Sequence, residues 1–172
     1  MKKFTLPKDG GLIEAGLPEG ILHSYERIPA HIFEDEDIAS ADLAEVIIRA
    51  INGSYGIFRL GLTTGSSPVS LYRELVRRHK AGDVSFENVE IFSIDEYYPA
   101  PPPSQSRNNR LYEELISKID VKHDNVHVPR YDEVKSTVTE SNAAFDKMAK
   151  GLDLLVMGVG EQGQLGFNEV GS

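Results

Sequence analysis

The chain has 172 residues, 40% apolar and 26% charged, with a formal net charge of -9 and no cysteine. That length suits one domain able to bury roughly 70% of the surface its unfolded form exposes, and the balance excludes a chain disordered throughout. Without cysteine there are no disulfides, thiolate metal sites or thiol nucleophiles, and the negative charge argues against nucleic acid and anionic lipid as partners.

Met1, Lys2 and Lys3 are followed by Pro7, Lys8, Asp9 and Gly10 instead of an apolar segment, so no secretory signal is expected. No apolar run approaches the 18 residues of a membrane span. The expectation is a cytoplasmic protein in which residues 1–24 form a flexible arm and residues 25–172 the folded unit. Residues 28–33 are predicted as an edge strand, Pro29 arguing against a central position. The acidic residues Glu34, Asp35, Glu36 and Asp37 precede a helical pattern of Ile38, Leu43, Val46, Ile47 and Ala50. Carboxylates in a first turn suit the positive end of the helix dipole, which makes them a helix start and not a cation site.

Residues 56–62 are predicted as a strand. They run into Thr63-Thr64-Gly65-Ser66-Ser67-Pro68 and then a helix bearing Leu71, Tyr72, Leu75 and Val76. Pro68 suits the first helical turn, with Ser66 or Ser67 as cap. A second strand over 89–94 ends in Asp95, Glu96, Tyr97 and Tyr98. A proline-rich loop leads to a helix over 107–117, a short strand over 125–128 and a helix over 132–150. The most apolar strand, 152–159, runs into Gly160-Glu161-Gln162-Gly163. Strands alternating with helices predict an α/β fold: a three-layer, mostly parallel open sheet with helices on both faces, Rossmann-like in plan. The loops after Leu62, Ile94 and Val159 should converge, because ligands bind at the carboxyl edge of such sheets.

The strand–loop–helix junction at 63–68 pairs small hydroxylated residues and a glycine with a helix N-terminus, the arrangement that lets backbone N–H groups meet a phosphate. It has no Walker lysine and no G-x-G-x-x-G spacing, which disfavours ATP and dinucleotides. An anion-binding loop and a plain capping turn both remain open. Asp95 and Glu96 point to opposite faces if the strand continues through them. One can then reach the crevice, as a proton-transfer base or a turn residue, while the other meets a basic or backbone partner. Gln162 and Gln164 only exchange hydrogen bonds near pH 7. His23, His31, His79, His123 and His127 show no ligand spacing, so no metal or cofactor is expected. Ser66 lies in no G-x-S-x-G elbow.

Three segments together resemble the glucosamine-6-phosphate deaminase (isomerase) family. They are Leu62 to Pro68 with Leu71-Tyr72-Arg73-Glu74-Leu75, then Val84 to Val89 through Asp95-Glu96-Tyr97, then Gly158-Val159-Gly160 through Gly163 and Phe167-Asn168-Glu169. The resemblance runs from about Tyr25 to Ser172 and is greatest to the N-terminal part of the longer bacterial members. It implies deamination of glucosamine 6-phosphate to fructose 6-phosphate and ammonia. A hexose phosphate would be held by Thr64, Gly65, Ser66 and Ser67, with Glu96, Gly163 and Asn168 around the sugar. Asp95 matches the base that moves a proton from C2 to C1, and Glu169 the carboxylate supporting a ring-opening histidine. Gln164 stands where that histidine is found and Gln162 where a carboxylate is common, so acid–base assistance worth typically 10²–10⁴-fold is lost at those positions. Relatives continue beyond this length, so the C-terminal portion of the fold is expected to be missing and the exposed sheet edge to favour homo-oligomers. The alternatives are a non-catalytic sugar-phosphate-binding relative and a 6-phosphogluconolactonase-like hydrolase.

Overall fold

Four strands form one sheet in the order β3-β2-β1-β4, every neighbouring pair parallel. They are β1 (Phe58–Leu62), β2 (Val89–Ser93), β3 (Val126–His127) and β4 (Leu154–Val156). The computed structural model describes residues 31–129, 137–160 and 163–166. The chain moves outward from β1 to β2 and β3, then returns to the other side of β1 for β4. The direction of winding therefore reverses between β1 and β4, the switch point at which open α/β sheets form their crevice. The register aligns the strand ends there: Leu62 lies opposite both Ser93 and Val156. Three strands thus end level and deliver residues 63, 94 and 157 to one edge.

The period-2 alternation of the strands divides the side chains between two faces. Phe58, Leu60 and Leu62 of β1 and Val89 and Ile91 of β2 join one buried cluster. Into the same cluster pack Ala44, Ile47 and Ile48 of α1 (Glu36–Asn52) and Leu71, Leu75 and Val76 of α2 (Val69–Lys80). Leu111 of α3 (Arg107–Glu114), together with Leu115 and Ile116 just beyond it, completes the cluster. The opposite face carries Arg59, Gly61, Glu90 and Phe92, and α4 (Val138–Met148) reaches it through Phe145, whose ring centroid is 6.5 Å from that of Phe92. Arg59 ties this layer down. Its Nε donates to Glu90 at 2.9 Å and its Nη2 to the Met148 carbonyl at 2.5 Å, while the guanidinium lies over the Phe92 ring. The fold is the predicted α/β sheet with helices, Rossmann-like in plan.

Local expectations fare unevenly. Asp35 caps α1, accepting from the Ile38 amide at 2.8 Å with Glu36 and Asp37 in the first turn, so the acidic run is a helix start. Residues 31–33 are not strand, and the rest of the predicted edge strand, with the arm at 1–24, lies outside the described residues. Neither Ser66 nor Ser67 caps α2: the cap position is Pro68, with no side-chain hydrogen bond. The helix predicted over 107–117 stops at Glu114, because Leu115 leaves helical geometry (φ -130°, ψ -62°) as it enters the core. The helix predicted from 132 is described from Val138, after a Thr137–Glu140 capping box. The mostly apolar run 152–159 yields only three strand residues. Within it β4 pairs with β1 on one side, and Leu155 is 44% exposed. Among the described residues no helix is long and apolar enough to cross a membrane.

Candidate functional site

The loop after β1 is pinned from below and open above. Thr63 donates its backbone N–H to the Val156 carbonyl at 3.1 Å and accepts at its own carbonyl from the Tyr72 hydroxyl. Tyr72 is almost wholly buried. Burial, and then the charge of Asp95, push its hydroxyl far above the usual tyrosine value, so it serves as a donor and not as a proton acceptor. Thr64 is also buried, and its Oγ1 donates to Asp95 Oδ1 at 2.7 Å. Gly65 follows at φ +119°, where a side chain would be strained. Ser66 and Ser67 are exposed at the rim. With Pro68 as an uncapped start, the first turn of α2 is left without a side-chain oxygen on its amides.

Asp95 sits at the mouth of this loop with its side chain 11% exposed. One carboxylate oxygen takes the Thr64 hydroxyl; the other lies 3.3 Å from Arg107 Nη1. The same Nη1 is 3.3 Å from the Thr64 carbonyl and 3.4 Å from its hydroxyl. Arg107 Nη2 donates to the Tyr97 hydroxyl at 3.2 Å, and the guanidinium stands 5.0 Å from the Tyr97 ring centroid. Thr64, Asp95, Arg107 and Tyr97 form one connected cluster at the carboxyl edge of β1 and β2.

Glu96 turns the other way, toward backbone partners. Its Oε1 accepts from the Tyr97 and Arg107 amides at 2.9 and 3.1 Å, and its Oε2 from the Ser106 hydroxyl and Asn108 amide at 2.6 and 3.0 Å. Burial works against this carboxylate, but those hydrogen bonds outweigh it and hold the group below its ordinary value. Through these bonds Glu96 anchors the start of α3. Beside the cluster opens a cleft of about 620 Å³, lined by Gly65, Tyr97, Arg107, Arg110 and Glu113 among others. A smaller cavity of about 210 Å³ lies at the switch point, between Ser40 of α1, Thr63 and Met157.

The loop after β4 turns back on itself. Val159 and Leu165 make an isolated antiparallel bridge, Gly160 donates to the Gln164 carbonyl at 2.8 Å, and the exposed Gly163 donates to the Gly160 carbonyl at 2.9 Å. The Gln164 side chain lies so close over Gly160 that any Cβ there would strike its amide. Gln162, Asn168 and Glu169 fall outside the described residues. His127, at the end of β3, packs its ring 4.5 Å from that of Phe92 on the α4 face. Among the described residues no group of three His, Asp or Glu gathers as a metal site.

Residues 34–165 match the model of a protein family described as glucosamine-6-phosphate isomerases/6-phosphogluconolactonase. The chain belongs to this family. Among its relatives, glucosamine-6-phosphate isomerase of Candida albicans is 38% identical over 145 residues, covering 82% of this chain and 58% of that protein. Glucosamine-6-phosphate deaminase of Hahella chejuensis is 42% identical over 113 residues, 64% of this chain and 42% of that one. The chain spans about half the length of these relatives. In three dimensions it is similar to a monomeric glucosamine-6-phosphate deaminase (TM-score 0.73, 24% identity, 81% of this chain and 58% of that one). It is also similar to 6-phosphogluconolactonase of Thermotoga maritima (TM-score 0.64, 17% identity, 78% and 61%). Both show that the isomerase/lactonase fold is shared.

Arg107 is the member of the Thr64–Asp95–Tyr97 cluster that the sequence pattern did not single out. A signal was there: an arginine at the first position of a helix sits against the positive end of the dipole, where a nearby carboxylate is favoured. Asp95, twelve residues earlier, is that group.

Proposed function

We propose that this chain binds a hexose phosphate of the glucosamine 6-phosphate type at loop 63–68, with Asp95 as the proton-transfer base of a deaminating aldose–ketose isomerisation. The observation that carries the reading is Asp95 fixed by the Thr64 hydroxyl at 2.7 Å, beside an uncapped helix start and a glycine-opened loop. A phosphate at Gly65, Ser66 and Ser67 would place sugar carbons along the edge toward Asp95. From there the carboxylate can take the C2 proton and return it to C1, which leaves an imine at C2; water then adds to C2, and ammonia departs as the ketone forms. Thr64 orients the carboxylate for both transfers.

Gln164 favours a slow enzyme. A glutamine amide neither gives nor takes a proton at neutral pH, so closed pyranose substrate meets no ring-opening group at that position. The chain is accordingly a sugar-phosphate binder with poor turnover. The test is calorimetry with glucosamine 6-phosphate alongside an ammonia-release assay of the unmodified chain and Gln164→His. Binding with slow ammonia release, raised by the histidine, is the expected result. Absence of binding would overturn the reading. Rapid hydrolysis of 6-phosphogluconolactone without ammonia release would assign the chain to the lactonase side of the family.

A further inference from the structure

We propose that Arg107 is a phosphate-responsive positioning residue: in the free protein its guanidinium ties Asp95 to the loop, and a bound phosphate takes over that guanidinium and releases Asp95 Oδ2. This rests on the reading that loop 63–68 receives a phosphate.

A phosphate monoester carries between one and two negative charges near pH 7, yet residues 63–68 contain no cation, and the chain as a whole is strongly acidic. Arg107 supplies the missing charge at the right place. Its Nη1 is 3.3 Å from the Thr64 carbonyl and 3.7 Å from where a Cβ on Gly65 would stand. The guanidinium therefore lies against the part of the loop that glycine leaves open. It also borders the 620 Å³ cleft through which a sugar phosphate would enter.

The present contacts of Nη1 are long. Three acceptors, Asp95 Oδ2, the Thr64 carbonyl and the Thr64 hydroxyl, share it at 3.3, 3.3 and 3.4 Å. Charge-assisted hydrogen bonds of this kind settle at about 2.7–2.9 Å. A phosphate offers three oxygens to a planar fork suited to receive two, so it competes well with these long Nη1 contacts. Nη2 and the guanidinium face stay on Tyr97, which makes the motion a swing about the Tyr97 contact. Asp95 keeps its 2.7 Å bond to Thr64 on Oδ1. Its other oxygen, freed from Nη1, then turns its lone pairs to the cleft. Phosphate arrival and base availability are coupled through one side chain.

The experiment is calorimetric titration of the full chain with inorganic phosphate, comparing the unmodified protein with Arg107→Gln, Arg107→Lys, Asp95→Asn and the double variant Asp95→Asn/Arg107→Gln. Thermal melts verify that each is folded. Losing a charged hydrogen-bond donor should weaken phosphate binding by roughly tenfold or more in Arg107→Gln, with part recovered in Arg107→Lys. Asp95→Asn removes the competitor and should tighten binding a few-fold, and that gain should vanish in the double variant. A structural role for Arg107 would not give this dependence on background. Should Arg107→Gln bind as the unmodified chain does, this inference falls while the phosphate loop stands. Equal tightening by Asp95→Asn in both backgrounds would also overturn it, by showing a general field effect. If the unmodified chain does not bind phosphate, the loop reading and this inference fall together.

Discussion

Glu96→Gln should destabilise the chain and loosen the start of α3, although the substitution changes neither size nor shape. Four donors converge on the Glu96 carboxylate: the amides of Tyr97, Arg107 and Asn108 and the hydroxyl of Ser106. A glutamine has one carbonyl oxygen, which can serve two of them. The other two then face an NH2 group that is itself a donor. Hydrogen bonds to a charged group contribute about 1.5–3 kcal/mol each, less where water can substitute. With the carboxylate only half-buried, a total of about 2–3 kcal/mol is expected. For a chain of this size that corresponds to a melting temperature lower by about 4–12 °C. The assay is thermal or urea unfolding at pH 7 together with amide hydrogen exchange. Exchange should accelerate at Arg107 and Asn108 and stay unchanged at Leu60, in the middle of β1. A melting temperature within about 1 °C of the unmodified protein, with unaltered exchange at Asn108, would refute the clamp.

Acid sensitivity, the Tyr72 contact and the packing over Gly61 give three more tests. Glu96 and Asp120 are both held below their unfolded values: in each case burial opposes the charge but is outweighed, by four hydrogen bonds at Glu96 and by the Ser85 hydroxyl, the Phe86 amide and the His79 charge at Asp120. Groups lowered in the folded state add stability that is complete above the unfolded pKa, near 4, and is lost as pH falls through the folded value. Melting temperature should therefore drop below about pH 4, and the Glu96→Gln and Asp120→Asn variants should show shallower acid limbs; parallel limbs would contradict this. Tyr72→Phe removes the donor to the Thr63 carbonyl and should cost about 1–2 kcal/mol in urea unfolding, while weakening phosphate binding through a looser loop. Gly61→Ala would place a Cβ 2.6 Å from Leu155 Cδ1 and 2.9 Å from Leu152 Cδ1. The expected cost is about 1–2 kcal/mol, relieved in part by Leu155→Ala in the same molecule, which removes the nearer obstacle and leaves Leu152.

What could be seen in the sequence was whatever is local. The alternation of Phe58, Leu60 and Leu62, the glycine at 65 and the proline at 68 announce strand, loop and helix from neighbours alone, and the structure agrees with them. Asp35 was recognisable as part of a helix start for the same reason. Strand extent was not: the run 152–159 is apolar apart from Asp153, and apolarity does not distinguish a central strand from a three-residue pairing with half-exposed Leu155. Nor was the division of labour between Asp95 and Glu96 settled. Adjacent carboxylates separate only when their partners are known, and those partners, Thr64 for one and Ser106 to Asn108 for the other, lie 10 to 31 residues away. Arg107 escaped for the same reason, its role being defined by three acceptors that only the fold brings to it.

The claim at the centre of the account is that a hexose phosphate sits on loop 63–68 beside Asp95. Titrating the isotopically labelled chain with glucosamine 6-phosphate while following backbone amide and arginine side-chain resonances tests it most directly, because the measurement needs no turnover. The account predicts shifts concentrated at Gly65, Ser66, Ser67 and the first turn of α2, together with the Arg107 guanidinium. Shifts confined to the cavity between α1 and β4, or none at saturating ligand, would contradict it.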